Sequence, residues 1–160
     1  MRDQKITISV IGGHDIDSEV ESLAHEVGGI VARVGTVLVC GGLGGVMEAA
    51  SRGAKEAGGI TIGILPGKDK GEANPYIDIA LPSSIGYARN AMVACSADII
   101  IALPGSEGTS SEISYGIVYK RPIIDLGGWD REGTIKVKDT TEAEAKIRAL
   151  IEKIKKTTSS

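Results

Sequence analysis

Two glycine-rich turns, each between an apolar strand-like run and the start of a helical pattern, carry the residues best suited to chemistry. The first lies in VGTVLVCGGLGGVMEAASRGAKEAGG (Val34 to Gly59), the second in SADIIIALPGSEGTSSEISYGIVYKRPIIDL (Ser96 to Leu126). Where a strand turns sharply into a helix, glycine lets a phosphate or similar anion touch the backbone N–H groups, and the helix start adds favourable potential. The candidate anion-holding residues are therefore Gly12 and Gly13; Gly41, Gly42, Gly44, Gly45 and Met47; and Pro104, Gly105, Ser106, Glu107, Gly108, Thr109 and Ser110.

Three familiar glycine-loop chemistries fail on spacing. A dinucleotide fingerprint GxGxxG would use Gly42 and Gly44, but its third position is Met47. The next strand pattern ends in Leu65-Pro66-Gly67, with no acidic residue for a ribose. A Walker loop needs GxxxxGK[ST], and Gly67-Lys68 is followed by Asp69 with no helix behind it. A nucleophile elbow needs GxSxG, which Gly105-Ser106-Glu107-Gly108 does not supply. His14 follows the first strand pattern and could line a site, whereas His25 reads as a helix-surface residue. Cys40 and Cys95 have neither CxxC spacing nor a nearby histidine pair, so they are expected to be packing residues and no metal site is expected.

The elements that must position these turns alternate along the chain. Strand patterns cover Ile6 to Ile11, Thr36 to Cys40, Thr61 to Leu65, Ile77 to Leu81, Asp98 to Leu103 and Pro122 to Leu126. Helical spacing covers Ser18 to Val34, Gly45 to the Gly58-Gly59 stop, Gly86 to Ser96 and Ser110 to Tyr119. The C-terminal TTEAEAKIRALIEKIKK places Ile147, Leu150, Ile151 and Ile154 on one face, with a capping box expected at Thr141 and Glu144. Most strands are continuous apolar runs, so both sheet faces are expected to be covered. The expected fold is α/β: a doubly wound, mostly parallel, Rossmann-like sheet with helices on both faces, in a single domain over residues 1–160. In such sheets ligands bind beyond the carboxyl ends of the strands, where the glycine turns lie.

Composition narrows the partners. With 160 residues, 42% hydrophobic and 24% charged, and a net charge of −3, the chain has no basic face for nucleic acid. Its longest apolar runs are far short of the roughly 20 residues of a membrane span, and MRDQKITISV lacks a signal-peptide pattern. A cytoplasmic protein that contacts neither nucleic acid nor membrane is expected.

GGLGGVM (Gly41 to Met47), GAKEAGGITIGILPG (Gly53 to Gly67), ANPYIDIALP (Ala73 to Pro82), YARN (Tyr87 to Asn90) and PGSEGTSSE (Pro104 to Glu112) occur in that order. Together they resemble the Lonely-guy superfamily, also described as lysine decarboxylase-like, whose signature is GGxxGxM followed by PGGxGTxxE. The resemblance runs from Ile6 to Leu126 and is strongest to the branch that includes molybdenum cofactor carrier proteins. It implies a nucleotide- or phosphate-ligand-binding protein. The activity implied is a phosphoribohydrolase that cleaves a nucleoside 5′-monophosphate to free base and ribose 5-phosphate, with no cofactor required. The alternative implied is a non-catalytic carrier or sensor of a phosphate-bearing ligand such as the molybdenum cofactor. Decarboxylation has no support, since no lysine sits in a recognisable cofactor context.

By the same resemblance, Arg89 and Glu112 match the catalytic pair, and Gly105, Gly108 and Thr109 match the phosphate turn. Ser106 replaces the second glycine of PGG. The resemblance also implies a homo-oligomer, dimer or tetramer, pairing through helices that carry Ala91, Met92 and Ile117. Physically, a carboxylate beside the sugar can stabilise the positive charge that builds as a glycosidic bond breaks, and an arginine fork suits a carboxylate or phosphate. A helix start and an arginine both favour an ionised Glu112, which would leave protonation of the base to Glu107 or Asp15. Structural readings stand beside these. Thr109 to Glu112 also fits a capping box, Arg89 a surface or interface cation, and Gly41 to Gly45 tight packing. Tyr87 and Tyr115 are expected to pack rather than stack on a base, and Trp129 to cover a sheet edge.

Overall fold

A computed structural model describes residues 3–160; Met1 and Arg2 of the domain expected over 1–160 lie outside the described residues. Seven strands form one sheet: β1 (Thr7–Ile11), β2 (Val37–Cys40), β3 (Ile60–Leu65), β4 (Ile79–Pro82), β5 (Ile99–Ala102), β6 (Ile123–Asp125) and β7 (Ile135–Lys136). Their order is β4-β3-β2-β1-β5-β6-β7, and every neighbouring pair is parallel. Every residue of β2, β5 and β6 is buried, as continuous apolar runs in a sheet covered on both faces must be.

Helices α1 (Ser18–Arg33), α2 (Val46–Glu56) and α5 (Thr140–Thr158) cover one face, burying Val27, Ala50 and Ile147 against Ile8, Leu38 and Ile99. Helices α3 (Asn90–Cys95) and α4 (Glu107–Val118) cover the other, where Val93 and Ile113 pack on Val39 and Ile100. The doubly wound Rossmann-like α/β fold expected from the sequence is the one observed. Among the described residues, no helix is long and apolar enough to cross a membrane.

One strand is added to those expected, and three local expectations are corrected. β7 has two residues, too few to show a period, and it covers β6. The segment from Gly86 to Ser96 divides into a 3-10 turn, Gly86–Arg89, and the short α3. α4 begins at Glu107, three residues before the expected Ser110. The cap of α5 lies two residues before Thr141: the Asp139 carboxylate accepts from Glu142 N (2.8 Å), and the Glu142 carboxylate accepts from Lys138 N (3.1 Å). Asp139 has the extended backbone an N-cap requires, and Glu144 instead pairs with Arg148 one turn on (2.8 Å).

Candidate functional site

β1 is flanked by β2 on one side and β5 on the other, so the connections leaving its carboxyl end and that of β5 run in opposite directions and open a crevice between them. Gly12 and Gly13 follow β1, and Pro104 and Gly105 follow β5. Gly13 ties the crevice together, because its N–H donates to Pro104 O (2.8 Å) and its carbonyl accepts from Val46 N at the start of α2 (2.9 Å). The loop after β2 reaches α2 through Gly45, whose φ of +67° belongs to the left-handed region that side chains disfavour.

Two kinds of helix start occur in this molecule. α1 and α5 carry their own carboxylate caps, Asp17 on Val20 N (2.9 Å) and Asp139 on Glu142 N. α2 and α4, the helices that follow the two glycine turns, have no side-chain cap at Gly45 or Ser106. In α4 the bond from Ser110 N to Ser106 O (2.9 Å) closes the first turn, so the N–H groups of Glu107, Gly108 and Thr109 precede the intrahelical ladder. Thr109 is buried, its side chain filling the space where Gly105 lacks a Cβ, while Ser106 and Glu107 are exposed. Ser106, which replaces a glycine of the PGG motif, has φ −128°, outside the left-handed region, so the turn does not require glycine there. Gly108 is the open wall, since a Cβ there would meet only Asn90 Nδ2, at 3.7 Å.

Arg89 and Glu112 are both buried behind these turns, each within the field of the other's charge. Arg89 is 6% exposed, which removes the surface-cation reading. Its Nε donates to Ile64 O (2.9 Å), its Nη2 to Gly41 O (3.4 Å) and its Nη1 to Asn90 Oδ1. Gly41 is required by this packing, because a Cβ there would sit 2.7 Å from Arg89 Nη2 and 2.7 Å from Met47 Sδ. Glu112 is the sixth residue of α4, far from the N3 position of a capping box, so the Thr109–Glu112 cap is not formed. It is 8% exposed, and no ion pair joins it to Arg89 among the described residues. Burial pushes its carboxyl up to about 8, with the Arg89 charge holding it below what burial alone would give. Glu112 thus keeps its proton at neutral pH, contrary to the ionised carboxylate expected from sequence. The helix potential fades within the first turn, and three Arg89 N–H groups are directed to other acceptors. Cys40 lies in the same field; its buried thiol is pushed up and accepts from Gly42 N (3.3 Å).

Three further residues support the second turn. The buried Asp125 carboxylate at the end of β6 accepts from Gly127 N (2.9 Å), Trp129 N (3.2 Å) and Asp130 N (2.8 Å). The loop so shaped brings Trp129 Nε1 to Leu103 O (2.9 Å) and Arg131 Nη1 to Ser110 O (3.3 Å). Trp129 therefore braces the β5 turn rather than covering a sheet edge. Only the turn-forming composition of GGWDREG hinted at this, because such contacts have no period. His14 sits beside Gly44 and lines a cavity of about 470 Å3 with Asp15, Glu48, Arg52 and Tyr76 on the α1–α2 side. Tyr87 and Tyr115, expected to pack, are 88% and 38% exposed.

Residues 5–157 match the SLOG cluster4 family. The chain belongs to that family. An uncharacterized protein of Archaeoglobus fulgidus is 44% identical over 119 residues, which are 74% of this chain and 78% of that protein. A cytokinin riboside 5′-monophosphate phosphoribohydrolase of Mycobacterium tuberculosis is 30% identical over 122 residues, covering 70% of this chain and 65% of that protein. Among solved structures, the molybdenum cofactor carrier protein of Chlamydomonas reinhardtii superposes with a TM-score of 0.85 at 31% identity, over 93% of this chain and 99% of that one. The resemblance to the Lonely-guy superfamily and its carrier branch holds.

Proposed function

We propose that this protein binds a nucleoside 5′-monophosphate in the switch-point crevice and hydrolyses its N-glycosidic bond. The observation that carries this reading is the placement of two buried ionisable side chains, Glu112 and Arg89, behind the uncapped start of α4; burial raises the Glu112 carboxyl so that it can serve as the acid. In it, the phosphate rests on the N–H groups of Glu107, Gly108 and Thr109 and on the Ser110 hydroxyl, and the ribose points toward Glu112. The bond between C1′ and the base nitrogen breaks, its electron pair leaves with the base, and that nitrogen takes the Glu112 proton. Water adds its oxygen to C1′ and gives a proton to the Glu112 carboxylate, which restores the acid and releases ribose 5-phosphate. Arg89 holds the carboxylate during its brief ionisation. Glu112 takes the part that the sequence left to Glu107 or Asp15, both of which are exposed. No cofactor enters these steps.

Incubation with a panel of purine and pyrimidine nucleoside 5′-monophosphates tests the proposal, with free base and ribose 5-phosphate expected in equal amounts from at least one. If none is cleaved, the hydrolase reading is wrong. The carrier reading is favoured by likeness to the Chlamydomonas reinhardtii carrier over nearly the whole of both chains. In that case a phosphate-bearing pterin of the molybdenum cofactor type occupies the same turn unchanged. We further propose that two copies pair through the apolar surface of the Gly86–Arg89 turn, α3 and α4, where Tyr87, Met92, Val118 and Tyr119 are 88%, 41%, 71% and 51% exposed.

A further inference from the structure

A second cavity, of about 570 Å3, lies at the amino ends of β5 and β6, the opposite edge of the sheet from the crevice. It runs between the end of α4 and the last turns of α5. Its apolar wall is Ile117, Leu150 and Ile154, three partly buried side chains packed on the two cores. Three cations, Lys120, Arg121 and Lys153, also line it, and none of them forms an ion pair among the described residues. The one carboxylate present, Asp98, already accepts from Thr7 N (2.9 Å) and Thr7 Oγ1 (3.3 Å).

Arg121 supplies the independent observation. Its Nη2 donates to Cys95 O (3.0 Å), which fixes the guanidinium in the cavity wall, and its Nη1 makes no hydrogen bond among the described residues. A guanidinium held in this way leaves N–H donors for a carboxylate entering the cavity. The volume lies within the range that holds small organic ligands. Three cations favour a negative group, the apolar wall favours a hydrocarbon body, and the neighbouring Asp98 charge opposes a second negative charge on the ligand.

We propose that this cavity binds a small amphipathic monocarboxylate, with its carboxylate toward Arg121, Lys120 and Lys153 and its hydrocarbon body on Ile117, Leu150 and Ile154. The site is separate from the crevice and does not depend on the proposed hydrolysis. α4 connects the two, since its first turn carries the anion-facing N–H groups and its last turn carries Ile117.

Titration of the full chain with octanoate, followed by backbone NMR and calorimetry, tests this. Saturable binding is expected, with shifts confined to residues around 117–122 and 150–158. Octan-1-ol and octylammonium should each bind at least about tenfold more weakly. Lys153→Glu, an exposed change on α5 with no bond to break, should weaken octanoate at least about tenfold and leave the melting temperature unchanged. Ribose 5-phosphate should not displace octanoate. Lack of saturation, equal binding of octan-1-ol, an unaffected Lys153→Glu variant or displacement by ribose 5-phosphate would each overturn the proposal.

Discussion

Replacing Glu112 with glutamine separates a buried acid from a buried carboxylate. The folded protein holds the Glu112 proton up to about 8, whereas the unfolded chain releases it near the ordinary value of 4.5. Because the folded value is the higher one, this residue's contribution to stability is full below 4.5, falls as pH rises through the window, and levels off above 8. The slope is about 1.4 kcal/mol per pH unit, so wild type should lose on the order of 4 kcal/mol between pH 5 and pH 8 from this group alone. Glutamine has nearly the shape of the protonated acid and nothing to titrate, so Glu112→Gln should lack that component of the loss. Urea unfolding of both proteins at each pH unit, at one protein concentration, measures the difference. The variant should become progressively more stable than wild type above pH 6 while releasing base at least about 10²-fold more slowly, since it has no proton to give. Parallel stability profiles for the two proteins would refute the protonated-acid assignment, even if activity fell.

Gly108→Val should weaken phosphate-ligand binding at least about tenfold with little change in melting temperature, because the added atoms point into the open side of the turn; calorimetry with adenosine 5′-monophosphate checks it. Trp129→Phe removes the N–H that holds Leu103 O, and should cost about 1 kcal/mol in urea unfolding together with some ligand affinity. Asp139→Ala should destabilise by about 1 kcal/mol and Thr141→Ala by much less, because Asp139 is the cap of α5. Sedimentation should show a dimer or tetramer at micromolar concentration, and Met92→Glu should dissociate it if the α3–α4 face is the interface.

The fold was legible because most of its strands are apolar runs followed by a glycine or proline turn; Ile99 to Leu103 and Pro104-Gly105 show both signals within seven residues. The anion-facing turns could be placed for the same reason. Cap positions were less legible. Thr109 with Glu112 and Thr141 with Glu144 both fit a capping box, but α4 begins at Glu107, which makes Glu112 its sixth residue, while Asp139 caps α5. The protonation of Glu112 was hidden because it depends on burial, and on where the Arg89 N–H groups are directed. Both depend on contacts distant in the chain, such as Arg89 to Ile64 O. Asp125, Trp129 and Arg131 escaped notice because a brace across a loop follows no spacing rule. Ser106 was legible as a departure from PGG, and its φ of −128° lies outside the left-handed region that would have required glycine.

The central claim is that the uncapped start of α4 holds the ligand's phosphate, and backbone amide NMR with adenosine 5′-monophosphate tests it most directly. The account predicts that the amide protons of Glu107, Gly108 and Thr109 shift downfield on binding, together with signals near Gly13 and Arg89, while those of the capped starts at Ser18–Val20 and Thr140–Glu142 stay fixed. Binding that leaves Glu107, Gly108 and Thr109 unmoved, or that shifts the capped helix starts instead, would contradict it.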